Sequence, residues 1–165
     1  MKNQQFVKII LPVIAVILVA YLLLTPSAMS VPVMTITDLN GKTYSLQELK
    51  GKPYIVNFWA TTCPGCVKEI PALMKVYDKY KDQGLNVFGI AMSYDPESQV
   101  RAMVKDKNIN YSIVLDKEAQ IAGAFGNVTL TPTTFFINKK GLIQKHKLGE
   151  MSYSEIENDV MKLML

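Results

Sequence analysis

Residues 53–71 read PYIVNFWATTCPGCVKEIP, and the fold is decided within this stretch. Pro53 to Trp59 is an apolar run of the kind expected of a strand buried on both faces. A helix is expected from about Cys66 to Lys81, with Gly84 as its stop signal. Cys63-Pro64-Gly65-Cys66 therefore sits where a buried strand gives way to a helix. The first turn of a helix carries unpaired N–H groups and a partial positive charge. A thiolate placed there is stabilised relative to the thiol. Pro64 suits the first helical position, and Gly65 keeps side chains away from an incoming substrate. Residues three apart face each other on a helix, so Cys66 can reach the sulfur of Cys63.

The chain of 165 residues has only these two cysteines. A disulfide between them would close a very small loop and remove little entropy from the unfolded chain, so it cannot act as a structural staple. The two are a reactive pair or half of a metal site. Zinc takes about four ligands, and the chain adds only His146, its single histidine. Redox chemistry without metal or cofactor is the favoured reading. Cys63, expected to be the more exposed, attacks a substrate disulfide and forms a mixed disulfide. Cys66, more buried, then attacks Cys63 and releases the reduced product. Run backward, the same steps oxidise a dithiol.

Strands and helices alternate outward from the motif. Val31 to Asp38 reads as a strand, with a turn at Leu39–Lys42 leading into Thr43-Tyr44 and a short turn capped by Ser45. Leu85 to Met92 is a second buried strand, and Pro96 opens a helix with Val100, Met103 and Val104 on its apolar face. Tyr111 to Leu115 is a short strand, and Asp116 to Phe125 another helix. A hairpin follows, Thr133–Ile137 and Leu142–Leu148. A final helix capped by Ser152 or Ser154 carries Ile156, Val160, Leu163 and Met164. The pattern predicts an α/β domain, a central mixed β-sheet flanked by helices on both faces. Hydrophobic residues make up 49% and charged residues 19%, enough for a real core. The net charge of +4 is mild, and basic residues are interleaved with acids, as in Lys75–Asp82. That is a solvated helix face, and no nucleic-acid partner is expected.

The N-terminus has another character. Ile9 to Leu24 (IILPVIAVILVAYLLL) holds no charge, and with Phe6, Val7 and Lys8 it nearly reaches the ~20 residues that cross a bilayer. Lys2 and Lys8 predict the N-terminal end inside and the remainder outside. Residues 1–30 are expected to be a transmembrane anchor with a short linker, and 31–165 the catalytic domain. A cleaved signal peptide ending at Ala28-Met29-Ser30 is the alternative, and either reading exports the domain.

Two stretches carry a family resemblance. Asn57 to Pro71 (NFWATTCPGCVKEIP) resembles the active-site segment of membrane-tethered, thioredoxin-like reductases of the TlpA/ResA type. Leu130 to Ile137 (LTPTTFFI) resembles that family's cis-proline loop and the strand after it. The resemblance spans approximately Val31 to Leu165 and implies a thioredoxin-like fold. It implies that Cys63 attacks and Cys66 resolves. It makes Pro132 the cis-proline packed against the pair, with Thr131 turned outward to meet an extended substrate segment. Pro71 resembles the proline that kinks the active-site helix. Glu69 resembles the acidic residue beside the pair, a proton acceptor for Cys66. Trp59 is expected to pack near the site, and with Pro64, Thr131 and Pro132 to contribute to substrate binding. Thioredoxin has a buried aspartate where this chain has Asn57; asparagine cannot take a proton, so acid–base work passes to Glu69 or to water.

The resemblance further implies reduction of disulfides in exported proteins, apocytochrome c among them, on the extracytoplasmic side of a bacterial cell membrane. A membrane electron donor of the DsbD/CcdA type would supply the electrons. A dithiol oxidase is a rival with the same chemistry, distinguished by reduction potential. A peroxiredoxin-like peroxidase would want threonine where Ala60 stands and an arginine nearby, and Arg101 is the only arginine. A copper metallochaperone would use the two cysteines and His146. Met161 and Met164 are expected to be core residues rather than copper ligands.

Overall fold

The computed structural model describes residues 29–165 and the single position Ile14. The segment expected to anchor the chain lies outside the described residues but for that one position. Among the described residues no helix is long and apolar enough to cross a membrane.

The elements are β1 (Thr35–Thr37), β2 (Thr43–Ser45), β3 (Tyr54–Trp59), α1 (Pro64–Tyr80) with a 3₁₀ turn (Lys81–Gln83), β4 (Asn86–Ala91), α2 (Glu97–Lys107), β5 (Ser112–Leu115), α3 (Gln120–Ala124), β6 (Thr133–Ile137), β7 (Ile143–Leu148) and α4 (Tyr153–Met164). Five strands form one sheet in the order β5-β4-β3-β6-β7. β3 pairs parallel with β4 and antiparallel with β6, so the sheet is mixed, as the sequence predicts. β3 is buried along its whole length, which explains its apolar run. Its side chains alternate between two cores. Ile55 and Trp59 join Val87 and Phe136 beneath α1, α2 and α4. Tyr54, Val56 and Phe58 join Phe88, Phe125 and Phe135 on the other face, covered by α3 and the β1–β2 hairpin.

Three expectations shift. The first strand shrinks from Val31–Asp38 to Thr35–Thr37; Pro32 has no N–H to offer a ladder, and Val31 instead donates to the Gly141 carbonyl at 3.2 Å. The helix expected over Asp116–Phe125 starts only at Gln120, because Ala119 is left-handed at φ 54° and breaks the helical path. Asp116 stays outside as a cap, its carboxylate accepting from Ile121 N–H at 3.0 Å and Ala122 N–H at 2.8 Å. Met164 packs against the core, whereas Met161 is exposed on the outer side of α4.

β3 ends at the motif, so the cysteine pair lies at the Trp59 end of the sheet. The chain enters at the other end, where Ile143 N–H donates to the Met29 carbonyl at 2.8 Å. Ile143 lies opposite Ile137, and Ile137 opposite Tyr54, the first residue of β3. One strand length, roughly 17 Å, separates the entry from the pair.

Candidate active site

Cys63 is the N-cap of α1, and Pro64 occupies its first turn as the sequence predicts. The two sulfurs are bonded, with Cα atoms 5.3 Å apart. Cys66 N–H donates to Cys63 Sγ at 3.2 Å. No acidic residue lies in the first turn of α1 itself, so the helix opposes no charge of its own to the positive end that acts on that sulfur. Cys66 is buried at 2% exposure, and Cys63 is half-buried. This asymmetry matches an attacking and a resolving thiol.

Glu69 follows Cys66 by three residues, on the same buried face of α1. It is 1% exposed. Its Oε2 accepts from Asn57 Nδ2 at 3.0 Å and its Oε1 from Met151 N–H at 2.9 Å. Asn57 also donates to Thr134 Oγ1 at 2.9 Å, which fixes its amide between strand and helix. Burial pushes the Glu69 carboxyl up to about 7, and the nearby carboxylates of Glu150 and Glu155 add to the rise. The hydrogen bonds from Met151 and Asn57 oppose it. A carboxyl that titrates near neutrality can both take and return a proton.

The Thr131–Pro132 bond is cis. A Cβ built on Gly65 would lie 3.7 Å from Pro132 Cδ, so the proline loop packs directly on the motif. Pro132 is buried, Thr131 half-buried and Pro64 exposed. Trp59 is 2% exposed and shares a core cluster with Cys66, so it floors the pair and offers no open surface to a ligand. Pro71 stands inside α1, where it leaves the Val67 carbonyl without its helical donor. Two features escape sequence reading. Asp95 clamps the loop before Cys63, accepting from Thr61 N–H and Thr61 Oγ1, each at 2.6 Å. Glu150 reaches over Gly65 from the loop after β7. Neither belongs to a motif, and no local signal marks them.

The sequence profile of the AhpC/TSA family matches residues 28–146. The chain belongs to the AhpC/TSA family. It is 35% identical over 133 residues to the thiol-disulfide oxidoreductase ResA of Bacillus cereus, covering 80% of this chain and 75% of that one. Among solved structures it resembles a thioredoxin-family thiol:disulfide interchange protein from Chlorobium tepidum, with a TM-score of 0.77 and 29% identity over 85% of this chain and 99% of that one. It also resembles StoA from Bacillus subtilis, with a TM-score of 0.69 and 25% identity over 81% and 99%. With the bonded Cys63–Cys66 pair, these relationships make this AhpC/TSA member a protein thiol–disulfide oxidoreductase of the ResA type with a thioredoxin-like fold.

The rival chemistries lack their residues at this site. Ala60 stands where a peroxidase would want threonine, and Arg101 is engaged on α2 by Glu97 at 2.8 Å. His146 stacks on Phe135, with ring centroids 4.4 Å apart, on the sheet face opposite Cys66. It is not brought to the cysteines.

Proposed function

We propose that this oxidoreductase works as a reductase, tethered to the extracytoplasmic face of a bacterial membrane by its N-terminal segment. It reduces disulfides in exported proteins, with apocytochrome c one candidate, and a membrane donor of the DsbD/CcdA type re-reduces it. The observation that carries this reading is the asymmetric pair, a half-exposed Cys63 at a helix N-terminus and a buried Cys66 one turn from a neutral-range Glu69.

In the reaction, the Cys63 thiolate attacks one sulfur of the substrate disulfide. A Cys63–substrate bond forms, and the other substrate sulfur leaves as a thiolate that picks up a proton. Cys66 passes its proton to the Glu69 carboxylate and attacks Cys63 Sγ. The Cys63–Cys66 bond forms, the mixed disulfide breaks, and the second substrate thiolate departs. Two electrons have moved from the pair to the substrate, and two electrons from the membrane donor restore the dithiol. Thr131 and Pro132 hold the substrate backbone beside Cys63, a role supported by the contact of the Pro132 loop with Gly65.

Direction is tested by equilibrating the full chain in detergent against dithiothreitol and glutathione couples. A potential near or below thioredoxin's, roughly −270 mV, is expected of a reductase. A potential near DsbA's, roughly −120 mV, would reverse the direction and make the protein a disulfide donor.

A further inference from the structure

Between β7 and α4 the chain runs through Gly149-Glu150-Met151, and each of these residues touches the site. Gly149 N–H donates to the Pro132 carbonyl at 2.8 Å, and Met151 N–H donates to Glu69 Oε1 at 2.9 Å. Glu150 lies between these two anchors. Its Oε2 would be 3.7 Å from a Cβ on Gly65, the same distance that separates that position from Pro132 Cδ. A carboxylate thus stands on the passage between the proline loop and the cysteine motif. Its counter-ion is Lys68 Nζ at 2.7 Å, on a side chain that is 76% exposed while Glu150 is 35% exposed. An exposed pair of this kind contributes little to stability, so another cation can replace Lys68 at small cost.

A polypeptide that lies along Thr131–Pro132 to bring its sulfur to Cys63 must cross Gly65, and there it meets Glu150. We propose that Glu150 is a specificity-determining residue, which takes a lysine or arginine flanking the reactive disulfide of a polypeptide substrate and gives up Lys68. The proposal rests on the reductase reading, since it requires a substrate segment on the Pro132 loop.

The test uses the full chain in detergent, recycled by dithiothreitol, and two peptide disulfides that differ only in lysine or glutamate beside the cysteine. The ratio of their kcat/KM values is read in wild type, Glu150→Gln, Glu150→Lys and Lys68→Gln. About a fivefold preference for the lysine peptide at low salt is the scale of an exposed ion pair, and it should shrink as salt rises. The ratio should approach one in Glu150→Gln, invert in Glu150→Lys and grow in Lys68→Gln. A wild-type ratio of one, or a ratio unchanged across the variants, overturns the role of Glu150 and leaves the reductase reading intact. Reduction of neither peptide by the wild-type chain overturns both.

Discussion

Glu69 is the residue whose chemistry is most sensitive to its surroundings. Burial raises its carboxyl from an ordinary value of 4.5 to about 7, so below that pH it is protonated and cannot accept the Cys66 proton. The resolving step should therefore speed up as pH rises through about 7, and Glu69→Gln should remove that inflection in single-turnover exchange. Stability should move the opposite way. Between 4.5 and about 7 the folded chain holds this proton while the unfolded chain has released it, so folding stability falls as pH rises across that window. The decline amounts to about 3 kcal/mol for a shift of this size, and it should flatten in Glu69→Gln when denaturation is followed from pH 4 to 8. An unchanged slope would mean that burial does not raise this group. The sequence offered the candidate, an acid three residues after Cys66. The hydrogen bond from Met151 was not legible, because its donor lies 82 positions away in the chain.

At the scale of elements, packing between strands sets the floor of the site. Gly89 on β4 faces Trp59 on β3, and a Cβ there would lie 2.7 Å from Ile113 Cδ1, 3.1 Å from Tyr111 Cε2 and 3.2 Å from Trp59 Nε1. Ile113 and Trp59 are both buried in a packed core, so the strain cannot relax cheaply. Gly89→Ala should destabilise the protein by about 1–3 kcal/mol, read as a lower urea midpoint at unchanged slope. A midpoint equal to wild type would show that β5 yields. Most elements were legible because their patterns are local. The run before Cys63 and the span Thr133–Ile137 appear where the sequence places them, and of the two expected caps, Ser152 and Ser154, it is Ser152 whose Oγ accepts from Glu155 N–H at 3.3 Å in a reciprocal capping box. The errors come from tertiary competition. The sequence pattern makes Asp116 the first residue of a helix, and its carboxylate instead serves the N–H groups of Ile121 and Ala122 from outside. Helical spacing places Met161 in the core, but its side of α4 faces outward and the residue is exposed.

At the scale of the whole molecule, the entry of the chain and the cysteine pair occupy opposite ends of one mixed sheet. The arrangement directs the Cys63 face away from the end where the N-terminal segment joins the domain. It leaves the proline loop and the Glu150 turn open around the pair. The parts that surround Cys63 come from four separate stretches, 60–69, 95, 131–132 and 149–151. Only the first and third carry motifs, so half of the wall is legible in the sequence. The central claim is that Cys63 attacks and Cys66 resolves, and trapping tests it most directly. Cys66→Ser and Cys63→Ser versions of the full chain are expressed in a bacterial host, quenched with acid and alkylated, and separated without reducing agent. The account predicts mixed disulfides with exported proteins in Cys66→Ser and none in Cys63→Ser. The reverse pattern, or equal trapping by both variants, would contradict it.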